Sequence, residues 1–254
     1  MLNMLTHGAE TGAPPLVIVH GLYGSARNWG VIAKRLSDRG LVVAVDQRNH
    51  GDSPRSDRHG YEDMAGDIAE VCESLGRPVD LLGHSMGGKA AMVMAVTRPA
   101  LVRRLVVADI APVAYEHDQT RYIHAMRAVD LGQVERRSDA VEQLKALVPE
   151  PALQSFFTQS LDVAGKRWKL NLDVLEAEMD KTVGFPEIHG RFDGPTLFLS
   201  GAESDYVKPE HRGRIRELFP HARFAKLTGA GHWLHAEKPR EFEAAVRAFL
   251  DAEI

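Results

Sequence analysis

The 254-residue chain carries one cysteine, Cys72, which excludes an internal disulfide and with it the disulfide-stapled scaffolds of small secreted domains. No apolar run approaches the roughly 18 residues that a membrane-spanning helix requires. The first residues, MLNMLTHGAETG, have neither a basic start nor a long apolar stretch, so no signal peptide is expected. Net charge is also scarce: 31 basic against 35 acidic side chains leave −4, and the basic ones are scattered instead of forming a stripe. Nucleic acid and other polyanions are therefore not expected partners. Repeats and low-complexity segments are absent, and no cluster of cysteines or carboxylates completes a metal site around any histidine pair. These absences leave a cytoplasmic protein as the expectation.

What is present fits a globular enzyme. With 44% hydrophobic and 26% charged residues the chain can bury a full core, and its length suggests one large domain or one with an insertion. Strand-like apolar runs fall at Leu16 to His20, Leu41 to Val45, Val79 to Leu82, Leu105 to Asp109, Thr196 to Ser200 and Ala222 to Leu227. Segments with helical spacing lie between most of them, among them Trp29 to Leu36, Tyr61 to Leu75 and Phe242 to Leu250. Continuous apolar strands separated by helices imply a mostly parallel sheet covered on both faces, an α/β fold. Cys72 falls on the apolar stripe of the second helix, with Tyr61, Met64, Ile68, Val71 and Leu75, and is expected to be a buried core thiol.

The rhythm breaks at about residues 112–193. Helical spacing there covers Tyr122 to Ala128, Ala140 to Val148, Leu153 to Leu161 and Val174 to Met179, with one extended-looking piece at Trp168, Leu170 and Leu172. An insertion after the carboxyl end of a strand lies over the crevice where such sheets bind ligands, so this segment reads as a small helical cap.

The most informative stretch is VDLLGHSMGGKAAMVMAV, Val79 to Val96. It sets Ser85 in a G-x-S-x-G frame between an apolar strand and a helix of small residues. So sharp a turn needs Gly83 and Gly87, because a Cβ there would strike the neighbouring strand or helix, and it leaves the serine hydroxyl exposed as a nucleophile. HGLYGS, His20 to Ser25, follows the first parallel strand and can present the Leu22 amide, beside that of Met86, to a developing oxyanion. GAGHWLHAEKP, Gly229 to Pro239, places His232 just past the last strand, where a general base for Ser85 would come from; a hydrogen-bonded loop histidine or a weak metal pair with His235 are the alternatives. Two residues qualify as the orienting acid: Asp109 at the end of RLVVAD and Asp205 in GAESDYV. The polar cluster DQRNHGDS, Asp46 to Ser53, reads as turn-shaping and supporting hydrogen bonds from Asp46, Arg48 and His50.

Over nearly its whole length the chain resembles the α/β-hydrolase superfamily. GHSMGGK, DQRNHGDSPR, VADIAPVAY and GAGHWLHAEKP are similar to the small bacterial esterases of the YbfF type and their mitochondrial ABHD11-like relatives. The resemblance implies carboxylester hydrolysis through an acyl-enzyme without a cofactor, acting on small-molecule esters, with Ser85 as nucleophile, His232 as base and the Leu22 and Met86 amides as oxyanion hole. In most of the superfamily the acid stands three residues past the glycine ending the penultimate strand; here that glycine is Gly201 and the position holds Ser204. Asp109 occupies the alternative acid site and is the expected acid, with Asp205 in reserve. Ser85 argues against dehalogenase or epoxide hydrolase chemistry, which needs an aspartate nucleophile. Thioesterase, lactonase and carbon–carbon hydrolase activities, and a non-catalytic ligand receptor, share the same frame. The apolar cap residues Leu153, Phe156, Phe157, Leu161, Trp168, Leu170 and Leu172 read as packing more than as pocket wall. Oligomeric state has no sequence signature here.

Overall fold

A computed structural model describes residues 1–253. The strands of the main sheet are β1 (Met4–His7), β2 (Leu16–Val19), β3 (Val42–Val45), β4 (Val79–His84) and β5 (Val102–Ala108) from the first half of the chain. Two short strands, β6 (Leu161–Asp162) and β7 (Arg167–Trp168), form a separate hairpin, and β8 (Thr196–Gly201) and β9 (Ala222–Leu227) complete the sheet. Its seven strands run in the order β1-β3-β2-β4-β5-β8-β9, all parallel except β1, which pairs antiparallel with β3 at the edge. Each of the six apolar runs becomes one of the parallel strands.

Strand β1 carries no apolar run because an edge strand is covered on one side only, and its MLTH alternates exposed with half-buried residues. The central strands β2, β3 and β4 are buried at every position, as a sheet covered on both faces demands.

Alternate residues of each strand feed opposite layers. Val17, Val19, Val43, Val45, Leu81 and Val107 pack with the helices α2 (Tyr61–Ser74) and α3 (Met86–Thr97), where Cys72 is fully buried. On the other face Leu16, Ile18, Val42, Ala44, Leu82 and Val106 pack against α1 (Gly30–Leu36) and the C-terminal helix over Pro239–Asp251.

Between β5 and β8 the chain leaves the sheet and forms α4 (Thr120–Arg127), α5 (Arg137–Leu144), α6 (Pro151–Thr158), the β6–β7 hairpin, α7 (Leu172–Ala177) and α8 (Met179–Val183). These elements share an apolar cluster of their own, built on Ile123, Met126, Leu144, Phe157, Trp168 and Leu175. Two expectations need correction here. Leu161 does not end a helix but pairs with Trp168 in the hairpin, and the extended reading of Trp168, Leu170 and Leu172 fails beyond Trp168. Leu170 makes a lone bridge to His50, and Leu172 opens α7. The physical reason is that Asp162 accepts the Gly165 N–H and Lys166 takes a left-handed φ of 49°, closing a tight turn that reverses the chain. The period of two therefore recorded burial in one cluster and not a continuous strand.

Candidate active site

Ser85 sits between β4 and α3 at φ 52° and ψ −122°, a backbone state that costs an L-residue energy and persists only where the surroundings impose it. Its neighbours show why the frame needs glycine. A Cβ on Gly83 would lie 2.3 Å from the Gly87 carbonyl oxygen, and one on Gly87 would lie 2.4 Å from the carbonyl oxygens of Val19 and His20. The turn thus closes helix α3 against β2 and β4 and leaves Ser85 Oγ at the floor of a cavity of about 500 Å³.

His232, in the loop after β9, reaches that floor from the other side. Its Nε2 lies 3.0 Å from Ser85 Oγ and its Nδ1 2.8 Å from Asp109 Oδ2. Asp109, just past β5, is fully buried and also adopts a left-handed φ of 52°. Its carboxylate accepts the Gly201 N–H at 3.1 Å on Oδ1 and the Ser204 hydroxyl at 2.5 Å on Oδ2. An imidazole facing a carboxylate holds its proton on Nδ1, which leaves the Nε2 lone pair for the serine O–H. The structure therefore brings Ser85, His232 and Asp109 into one hydrogen-bonded chain. Asp205 stays outside it, exposed, while Ser204 touches the carboxylate and not the imidazole.

Leu22 and Met86 both line the cavity beside Ser85. In the loop after β2, His20 Nε2 accepts the Gln47 N–H at 2.9 Å and His50 Nε2 accepts the Tyr23 N–H at 3.2 Å. Among the described residues no acceptor takes the Leu22 or the Met86 amide, so both donors remain free. His50 thus supports the loop and lies outside the hydrogen-bonded chain. Asp46 accepts amides from Ala26 and Asp52, and Arg48 pairs with Asp67. His235 is stacked on Trp29, centroids 4.1 Å apart and nearly parallel, and among the described residues no group of three or more potential metal ligands gathers around it or elsewhere.

Three neighbours were not singled out from sequence. Tyr206 stacks on the His232 ring at 4.0 Å and 20°, and His84, on the ring's surroundings at 4.8 Å, donates Nε2–H to the His232 carbonyl at 2.8 Å, tying that loop to the elbow. Lys89, one helical turn beyond Ser85, is buried and lines the cavity. Strand alternation beside Ser85 marked His84 as inward-facing, whereas nothing local marked Tyr206. Of the apolar cap residues named from sequence, Leu153, Phe156 and Phe157 line the cavity; Leu161, Trp168, Leu170 and Leu172 do not.

Five buried histidines surround this floor and its supporting loops. Burial pushes His20 below the usual imidazole range and His50 and His84 well below it, lowers His59 to about 4 and takes His235 to about 3. The unfolded chain protonates these rings as pH falls through 6.5, while the folded chain keeps them neutral. Their contribution to stability is complete above pH 6.5 and is lost progressively on acidification, down to about pH 4 for His59 and about pH 3 for His235. Denaturant midpoints measured across that window should fall steadily, with proton uptake on unfolding; a flat profile between pH 6.5 and 4.5 would contradict the burial of neutral rings.

A parallel sheet that delivers a serine, a histidine and an aspartate from the ends of different strands to one cavity defines the class of α/β hydrolases. A family model for the alpha/beta hydrolase fold matches residues 14–239, and the chain belongs to that family. It is 43% identical over 248 residues to the mouse sn-1-specific diacylglycerol lipase ABHD11, covering 93% of this chain and 81% of that one. It is 37% identical to the esterase YbfF of Escherichia coli (strain K12), with 93% of each chain covered. A solved marine microorganism esterase superposes with a TM-score of 0.90 at 35% identity, over 98% of this chain and all of that one.

Proposed function

We propose that the chain is a serine carboxylesterase in which Ser85, His232 and Asp109 act as a catalytic triad. The observation that carries this reading is the unbroken path from Ser85 Oγ to His232 Nε2, 3.0 Å, and from His232 Nδ1 to Asp109 Oδ2, 2.8 Å. As Ser85 attacks an ester carbonyl, His232 takes its proton on Nε2, and the buried Asp109 carboxylate stabilises the imidazolium. The tetrahedral oxyanion falls to the free Leu22 and Met86 amides. His232 then passes the proton to the departing alcohol, leaving an acyl-Ser85, and water repeats the cycle to release the acid. No metal or cofactor takes part in these steps. Relatives named as esterases and lipases favour ester hydrolysis over the thioesterase, lactonase and receptor alternatives. We also read the enzyme as cytoplasmic; its one cysteine, Cys72, is a free buried thiol that needs no oxidising compartment.

The segment over residues 112–193 serves as a cap, since Tyr122, Phe156 and Phe157 close the cavity above Ser85. A cavity of about 500 Å³ lies in the range typical of small-molecule sites. It fits soluble esters with short to medium acyl chains, of about two to eight carbons, with each added methylene altering transition-state binding by about 1–3 kcal/mol or less. A panel of nitrophenyl esters of increasing acyl length should peak within this span. A strong preference for emulsified long-chain glycerides or diacylglycerol, with little turnover of soluble esters, would replace this reading.

A further inference from the structure

Lys89 is 1% exposed, yet its ammonium faces no carboxylate within 4 Å among the described residues. Two of its three N–H groups donate to the carbonyls of Val183 and Gly184 at the end of α8, at 2.9 and 2.5 Å. The Tyr115 ring lies 4.8 Å away and the Tyr61 ring 5.7 Å, so aromatic faces shield the charge. No acceptor among the described residues takes the third N–H. The same side chain lines the ester cavity, one helical turn past the nucleophile, whereas the acidic cavity residues Glu116 and Asp118 sit exposed at the rim. Burying an ammonium without a counter-ion is costly, and partial satisfaction by carbonyls leaves a site that gains most from an anion.

We propose that Lys89 is a specificity-determining residue that binds an ionised carboxyl group of the substrate, so that the preferred esters carry a carboxylate in addition to the scissile bond. The ammonium's free donor supplies one charge-assisted hydrogen bond to that carboxylate, and the apolar walls exclude the water that would screen it. Burial lowers the Lys89 ammonium to about 7, so the charge is present below neutral pH and fades above it. The other titratable groups facing it, Tyr61 on α2 and Tyr115 after β5, are held protonated by burial well above that range and do not compete.

This inference rests on the esterase reading, and the experiment separates the two. Monomethyl adipate is compared with methyl isooctanoate, in which an isopropyl group replaces the carboxylate, and carboxyphenyl butyrate with isopropylphenyl butyrate. The first pair puts the anion in the acyl portion and the second in the alcohol. For each protein the readout is the ratio of kcat/KM within a pair, so a general loss of activity cancels. In wild type at pH 6 at least one pair should favour the anion, and Lys89→Met and Lys89→Gln should lower that ratio about ten- to hundredfold, the worth of one hydrogen bond to a charged group. The wild-type ratio should also decline as pH rises past 7, while the variants' ratios stay flat, an effect that a purely structural tie to α8 would not produce. Should the variants fail to fold, the wild-type pH series decides alone. Ratios below one in both pairs, ratios unchanged in folded variants, or a wild-type ratio independent of pH would overturn the proposal and leave the esterase reading standing. Absence of turnover on all four esters by wild type would sink the esterase reading itself.

Discussion

Replacing Ser85 with alanine should abolish ester hydrolysis, lowering kcat by roughly 10⁶-fold, while the protein remains folded. The size follows from the role: without Oγ there is no atom 3.0 Å from His232 Nε2 to receive the acyl group, and the acyl-enzyme cannot form. The fold should survive because the elbow is held by backbone contacts at Gly83 and Gly87 and not by the hydroxyl. Steady-state rates on a nitrophenyl butyrate, with circular dichroism and a thermal midpoint as controls, check the expectation. A folded variant retaining a tenth of the activity would end the serine-hydrolase account.

Asp109→Asn should be almost as damaging, with a loss in kcat of about 10⁴, and Asp205→Asn should keep most activity. The hydrogen bonds around Asp109 determine this asymmetry. With Gly201 N–H donating to Oδ1, an asparagine at 109 keeps its carbonyl oxygen there and turns its NH₂ toward His232. The imidazole must then present a lone pair at Nδ1 and carry its proton on Nε2, the wrong tautomer for accepting the Ser85 proton. The NH₂ would also face the Ser204 hydroxyl, which can turn its own lone pair to meet it. Asp205 touches none of these groups and is exposed. Both variants need thermal melts, since Asp109 also anchors the loop after β8. An inactive, folded Asp205→Asn beside an active Asp109→Asn would reverse the assignment.

The different standing of these residues shows where sequence reasoning reaches. Most of the parallel strands were legible because they are short runs of apolar residues buried on both faces, a pattern local to a few positions; β9, at the far edge and nowhere fully buried, showed only through its apolar Ala222, Phe224, Ala225 and Leu227. Ser85 was legible for the same reason: strand, glycine-flanked turn and helix all lie within one stretch. Strand β1 was not, because an edge strand needs no continuous apolar run. The choice between Asp109 and Asp205 had no local answer, since His232 lies 123 residues beyond Asp109 and the pairing exists only once β5, β8 and β9 lie side by side. Resemblance favoured Asp109, and the geometry now places its carboxylate against the imidazole. Tyr206 illustrates the same limit, an aromatic in an irregular loop that reaches the His232 face only through the fold. Lys89 was visible in GHSMGGK, but its isolation from every carboxylate is a property of the packed interior and not of the motif.

The most direct measurement is covalent labelling with a fluorophosphonate, which reacts only with a serine whose hydroxyl is activated by a neighbouring base and whose phosphoryl oxygen finds oxyanion donors. Intact mass after labelling, followed by peptide mapping, reads both stoichiometry and position. One adduct per chain on Ser85, absent from Ser85→Ala and strongly slowed in Asp109→Asn, is the result predicted. A wild-type protein that stays unmodified, or an adduct on any other side chain, would contradict the account.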